Sequence, residues 1–76
     1  MRGDLPSAVG QRIRKLRLRM KISQEELAAR ADLHRNYVGS VERGERDIGI
    51  EALGRLAQAL GVSLAEFFQP FRQRPN

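Results

Sequence analysis

The 76-residue chain contains no cysteine, no tryptophan and only one histidine. Without cysteine it can form neither a disulfide framework nor a thiolate metal site. No apolar run approaches the roughly 18 residues that cross a membrane. The first residues, MRGDLPS, lack the apolar segment of a secretory signal. We therefore expect a cytoplasmic protein of a bacterium or phage, with no membrane contact.

Aromatic residues are also scarce, at 5% of the chain, and so are the residues from which active sites are built. One histidine and no clustered carboxylates leave no nucleophile beside a base, no acid–base pair and no metal-ligand set. We expect no enzymatic activity, no cofactor, no metal and no small-molecule ligand. The hydrophobic fraction of 41% still suffices for one compact core, with little room for a second.

Positive charge, by contrast, is abundant. Fourteen Lys and Arg residues against nine Asp and Glu give a net charge of +5, and twelve of the fourteen are arginine. The guanidinium group forks onto phosphates and guanine edges, so this balance favours a nucleic-acid partner. Excess positive charge is also common on solvated helices, so the charge alone is a weak indication.

The spacing of apolar residues predicts helices and no strand. Val9, Ile13, Leu16 and Met20 recur every three or four residues, which predicts a first helix from Pro6 to Met20. The basic residues that lie off this apolar stripe are Arg12, Arg14, Lys15, Arg19 and Lys21. Because no glycine follows, this helix must end without a glycine C-cap.

The second predicted helix begins with a capping box, Ser23 to Glu26, and ends at Ala31. Ala28 and Ala31 would face inward and let another helix cross closely, and Asp32 would adopt the left-handed conformation of a tight turn. The other helices are predicted at Arg35–Arg43, at Ile50–Leu60, and from a capping box at Ser63 through Phe68. Ile50, Leu53, Leu56, Ala57 and Leu60 share the apolar face of the fourth helix.

Two short helices joined by a tight turn, here from Ser23 to Gly44, form the helix-turn-helix unit of DNA-binding proteins. The second helix of this unit presents Arg35, Asn36 and Ser40 away from its apolar residues. Arginine pairs with guanine and asparagine with adenine in the major groove. The pattern therefore predicts a helix that reads DNA sequence.

The chain resembles the helix-turn-helix domain shared by phage Cro and repressor proteins and small bacterial regulators, over roughly residues 9 to 68. The matching elements are Leu16-Arg17, Ser23-Gln24, Leu27-Ala28, Tyr37-Val38, Glu42-Arg43-Gly44 and Ala59-Leu60-Gly61-Val62. The resemblance implies an all-α, five-helix lambda-repressor-like domain over residues 1–76, with a core at about 6–69 and a partly ordered tail at 70–76. It further implies a sequence-specific transcriptional regulator that binds a palindromic operator in double-stranded DNA as a homodimer.

Within that family, HRNYVGSVERGERDI and the short length are similar to restriction-modification controller proteins. Two alternatives stay open. Small chromosomal repressors carry nearly the same string, and antitoxin-type modules use the same fold to bind DNA and a protein partner. A tail of about eight residues is short for binding a toxin.

The resemblance also assigns roles to individual residues. The expected base-reading residues are Arg35, Asn36, Ser40, His34 and Tyr37, and the expected phosphate-binding residues are Gln24, Arg43 and Arg46. His34 could instead cap its helix, and Tyr37 could be half-buried packing. Gly39 replaces a larger polar residue in the reading helix and could permit close approach to DNA.

Two further groups are expected to be structural. The resemblance implies a partly buried ion pair between Arg17 and Glu42, which would join the first and third helices. At the C-terminal end, the apolar residues Leu64, Phe67, Phe68 and Phe71 exceed what one short helix needs. We expect Leu64, Phe68 and Phe71 to form a dimer interface, although all four could instead fold into one core.

Overall fold

A computed structural model describes residues 4–71 of the chain. The described residues form five helices and no strand, in the predicted order. The helices are α1 (Leu5–Arg19), α2 (Gln24–Ala31), α3 (Arg35–Glu42), α4 (Ile50–Ala59) and α5 (Leu64–Phe68). The predicted all-α class is confirmed, and every predicted helix end lies within one residue of the observed one. Most of the predicted tail, from residue 72 onward, lies outside the described residues.

The helices enclose a single core. Its fully buried side chains come from all five helices: Ile13, Leu27, Val38, Val41, Leu56 and Phe67. Within residues 4–71, no helix has the length and apolar character needed to span a membrane. Over the same residues, no three side chains that could ligate a metal come together.

Serine caps begin α2 and α5, as the sequence predicted. The Ser23 hydroxyl accepts a hydrogen bond from the Glu26 N–H at 3.0 Å, but the Glu26 carboxylate accepts from Arg30 at 2.6 Å. Only half of the first capping box is therefore formed. In the second, Ser63 and Glu66 each accept from the other's backbone N–H, at 3.0 and 2.9 Å.

Left-handed residues end the first three helices. Lys21 has φ 59° after α1, Asp32 has φ 57° after α2, and Gly44 has φ 75° after α3. The predicted turn at Asp32 and the predicted end of α1 without glycine are both confirmed. Because a side chain crowds the backbone in this conformation, Lys21 costs about 1–2 kcal/mol that tertiary packing must offset. The short side chain of Asp32 tolerates the conformation better.

Two apolar residues predicted to face the core are instead exposed. Met20 is 37% exposed, because it lies just beyond α1, where Lys21 turns the chain away. Ile50 is 83% exposed, whereas the later apolar residues of α4, such as Leu53 and Leu56, are buried. Ile50 is the first residue of its helix and extends past the point where α4 packs on its neighbours.

Gly10 sets the distance between α1 and α3. A Cβ at this position would collide with the carbonyl oxygen of Val41 and lie 2.8 Å from that of Glu42. Both are backbone atoms, so the two helices approach more closely than any side chain at this position allows. This contact holds the C-terminal end of α3 against α1 and thereby sets how far α3 projects from the domain.

Candidate nucleic-acid interface

The first turn of α3 presents its polar side chains to solvent. Arg35 and Asn36 are exposed, while Val38 and Val41 on the opposite side of the helix are buried. The Arg35 guanidinium lies 3.4 Å from the carboxylate of Glu25 on α2, and the two side chains are 63% and 73% exposed. Because exposed ion pairs contribute little, Arg35 can exchange Glu25 for another partner at small cost.

His34 occupies the N-cap of α3. Its ring atom Nδ1 accepts a hydrogen bond from the backbone N–H of Asn36 at 3.1 Å. This is the capping alternative considered from the sequence. With Nδ1 used as an acceptor, the neutral ring carries its proton on Nε2, where one donor remains for a phosphate or a base.

Tyr37, Ser40 and Arg46 form a cluster that ties the loop after α3 to the helix itself. The Ser40 hydroxyl donates to the Tyr37 carbonyl at 2.9 Å and accepts from Arg46 Nε at 3.2 Å. The Arg46 guanidinium carbon lies 5.4 Å from the centre of the Tyr37 ring, and the Tyr37 hydroxyl accepts from the Gly49 N–H at 3.4 Å. Ser40 must therefore give up existing contacts to reach a base.

Arg17 and Glu42 form a two-pronged ion pair between α1 and α3. Arg17 Nε and a terminal guanidinium nitrogen reach the two Glu42 oxygens at 2.7 and 2.9 Å. The side chains are 9% and 2% exposed. The hydrogen bonds that Arg17 donates to Glu42 raise the pKa of Arg17 above its ordinary value. A third donor of Arg17 reaches the Ile22 carbonyl at 2.9 Å, which fixes the chain between α1 and α2.

Gln24 and Arg43 meet over Gly39. The Gln24 amide donates to Glu42 at 2.9 Å. A Cβ built on Gly39 would lie 3.3 Å from Gln24 Oε1 and 3.2 Å from an Arg43 nitrogen. Gly39 is therefore buried beneath these two side chains, and its expected role in the close approach of DNA stays a prediction. Two predicted phosphate-binding residues lie side by side.

Arg43 also contacts an acidic residue in the loop. Its Nε lies 3.0 Å from a carboxylate oxygen of Glu45, and both side chains are more than half exposed. This hydrogen bond raises the pKa of Arg43 and lowers the pKa of Glu45. Because Glu45 carries the same charge as DNA, it competes with phosphate for Arg43.

The four apolar residues near the C-terminal end are not equivalent. Phe67 is fully buried, Leu64 is 46% exposed, and Phe68 and Phe71 are partly buried against the core. The Phe67 and Phe68 rings meet edge-on, with centres 4.9 Å apart. The structure thus assigns Phe67 to the core and leaves Leu64 at the surface. Ile50, the most exposed large apolar residue of those described, was not among the residues predicted for an interface.

Arg12 has a role that the sequence did not reveal. It was placed among the basic residues off the apolar stripe of α1, yet it is partly buried. Its Nε donates to the Phe67 carbonyl at 2.8 Å, and a terminal nitrogen donates to the Glu66 carbonyl at 2.9 Å. The partners are 54 and 55 residues away along the chain, so no local pattern could have indicated this contact.

Comparison with known proteins places this arrangement among characterised regulators. A helix-turn-helix family model matches residues 13–67. The control protein C.BamHI of Bacillus amyloliquefaciens is 38% identical over 63 residues, which cover 82% of this chain and 78% of that protein. The control protein C.SmaI of Serratia marcescens is 41% identical over 61 residues, which cover 80% and 73%.

Among solved structures, too, similar proteins are restriction-modification controller proteins. The restriction-modification controller protein C.AhdI from Aeromonas hydrophila has a TM-score of 0.80 and 43% identity, over 83% of this chain and 96% of that one. The controller protein C.Esp1396I, solved as a tetramer in complex with its natural 35 base-pair operator, has a TM-score of 0.82 and 36% identity, over 87% of each chain. The family model and these relatives each match most of the chain. The protein is therefore a transcriptional regulator of the helix-turn-helix family, similar to restriction-modification controller proteins.

Proposed function

We propose that this protein binds a palindromic DNA operator as a homodimer, with α3 lying in the major groove of each half-site. The placement of Arg35 and Asn36 carries the proposal. Both side chains are exposed in the first turn of α3, the part of a recognition helix that contacts base edges. Arg35 would pair with guanine and Asn36 with adenine, each contributing about 1–3 kcal/mol of discrimination.

The side chains around α3 supply contacts to the DNA backbone. Gln24 stands at the start of α2, where free backbone N–H groups favour an anion, and it lies beside Arg43. Arg46 is linked to α3 through Ser40, so it is held close to the reading helix. Phosphate contacts of this kind fix the register of α3 in the groove and make binding sensitive to salt.

The homodimer follows from the small number of contacts that one copy can make and from the apolar surface it leaves exposed. Leu64 and Ile50 are 46% and 83% exposed, and Phe68 and Phe71 are only partly covered. The relative C.Esp1396I is a tetramer on its operator. Two-fold symmetry would place two α3 helices about 34 Å apart, one turn of B-DNA.

The names of several relatives support a role in restriction-modification control: C.BamHI, C.MunI and C.SmaI are all control proteins. We propose that this protein regulates such genes in the cytoplasm, without catalysing a reaction. The immunity repressor of Bacillus phage phi105 is also a relative, at 37% identity over 57 residues. Neighbouring methyltransferase and endonuclease genes would support the controller role, and their absence would favour another regulatory target.

Selection of bound duplexes from a random DNA pool tests the proposal. The wild-type protein should select two inverted half-sites centred about 10 base pairs apart. Arg35→Ala should lose preference at one base in each half-site, whereas Arg14→Ala, which removes the same charge from the exposed face of α1, should keep the sequence. An unchanged preference in Arg35→Ala would refute its reading role, and a single unrepeated site would refute the symmetric dimer.

A further inference from the structure

In the shortest helix, α5, two backbone carbonyls accept hydrogen bonds from one side chain of α1. In the described residues 4–71, Arg12 makes both side-chain hydrogen bonds that join α5 to another helix, at 2.8 Å to Phe67 and 2.9 Å to Glu66. The other polar side chains of this region, Ser63 and Glu66, bond to each other's backbone in the capping box.

This contact constrains the orientation of α5 as well as its position. Carbonyl groups in the last turn of a helix point along its axis and can accept donors from outside the helix. The Glu66 carbonyl also accepts the backbone N–H of Gln69 at 3.2 Å. The guanidinium of Arg12 presents its donors in a rigid plane, so it can hold two successive carbonyls at once. Two fixed points resist rotation of α5 about its axis, which a single hydrogen bond would allow.

Rotation of α5 would matter because its apolar face, which carries Leu64, Phe67 and Phe68 at three- and four-residue spacing, is unevenly covered. Phe67 is fully buried, while Leu64 is 46% exposed and Phe68 is partly covered. The Phe68 ring contacts Phe71 edge-on, with centres 5.2 Å apart. Successive residues of a helix differ by 100° in direction, so a modest rotation would change how much of these side chains faces outward.

The chemistry of this surface fits a second copy better than DNA. Glu66 is the one charged residue of α5, and its carboxylate accepts the Ser63 N–H. Phosphates would meet no cation on α5 itself and one side chain of their own charge. The exposed Leu64 and the partly covered Phe68 and Phe71 are apolar, and an identical surface across a two-fold axis would cover them.

We propose that Arg12 is a positioning residue of the homodimer surface: by clasping the Glu66 and Phe67 carbonyls, it presents Leu64, Phe68 and Phe71 to the partner copy. This inference rests on the homodimer proposed above. Preorganisation lowers the ordering cost of association, so loss of the clasp weakens the dimer without removing an interface side chain. Each dimer contains two such Arg12 contacts. If the loss of each one raises the dimer dissociation constant about threefold, the loss of both raises it about tenfold.

Sedimentation equilibrium of the full-length protein tests this. Arg12→Ala should raise the dimer dissociation constant about tenfold, and Arg12→Lys should do nearly the same because one ammonium group lacks the planar fork. Arg14→Ala, an equal charge change on the exposed side of α1, should leave the constant within twofold. Ile13→Val, which thins the core beside Arg12, should lower the unfolding temperature and leave the constant unchanged.

The outcomes separate this inference from the dimer itself. If the wild-type protein is a monomer at all concentrations, the proposed homodimer is refuted, and the role of Arg12 with it. If the wild type dimerises and the folded Arg12→Ala variant dimerises equally well, the clasp is refuted while the dimer stands. Should Arg12→Ala fail to fold by circular dichroism, the dissociation constant of Arg12→Lys decides, since it keeps the charge and most of the length.

Discussion

Replacing Glu42 with alanine should destabilise the domain more than any exposed charge change. The substitution leaves the Arg17 guanidinium, 9% exposed, without the carboxylate that accepts two of its hydrogen bonds. It also removes the acceptor of the Gln24 amide. Burial penalises a charge that has lost its partner, because neither water nor a counter-charge reaches it.

The size of the effect can be set against the stability of the whole domain. Removing one partner of a buried ion pair costs about 3–5 kcal/mol. A domain of 76 residues has a free energy of unfolding of about 4–11 kcal/mol, so this single change removes a large share of it. The double variant Arg17→Met with Glu42→Leu should be more stable than either single change, because no charge is stranded.

Urea unfolding followed by circular dichroism, at one fixed protein concentration, measures these differences. Arg30→Gln is the matched control. It breaks the 2.6 Å ion pair between Arg30 and Glu26, whose side chains are 44% and 49% exposed. Because exposed ion pairs contribute little, this change should lower the free energy of unfolding by no more than about 0.5 kcal/mol. A loss below about 1 kcal/mol in Glu42→Ala would show that water solvates Arg17 and would refute the reasoning. A double variant less stable than both single ones would refute it as well.

Three further predictions concern other parts of the molecule. Gly10→Ala should lower the free energy of unfolding, measured in urea, by about 1–3 kcal/mol, because the added Cβ would collide with backbone carbonyls of α3. The pKa of Glu45 is lowered by Arg43, so the contact between them is present at neutral pH and lost as pH falls through the folded-state pKa. An NMR titration of Glu45 should show this low midpoint, and Arg43→Ala should return it to the ordinary value. Ile50→Arg should weaken dimerisation in sedimentation equilibrium, because the 83% exposed Ile50 belongs to the apolar surface that we propose the homodimer covers, and equal dimerisation would refute its place in the interface.

Local features of the fold could be predicted from the sequence. The apolar spacing gave the faces of α2 and α3, and Ser23, Asp32 and Gly44 marked where helices begin and end. The exposure of Arg35 and Asn36 followed from their offset to the buried valines of the same helix. All of these depend on dihedral angles and on residues within one or two helical turns.

The arrangement of the site depended on contacts between distant residues. The sequence did not predict that Gln24 and Arg43 would lie together over Gly39, or that Ser40 would be bonded to Arg46. Nor did it predict the exposure of Ile50. Periodicity shows which face of a helix is apolar, but it does not show where a neighbouring helix crosses or stops covering that face.

By itself, the sequence determined an all-helical domain with a helix-turn-helix unit and a polar reading face on α3. Only the tertiary structure decided how the helices are held together: Gly10 sets the distance of α3 from α1, and Arg12 bonds to α5, 55 residues away along the chain. Helix formation is governed by neighbours along the chain. Helix placement is decided by how separately formed surfaces fit together, because close packing tolerates few alternative arrangements.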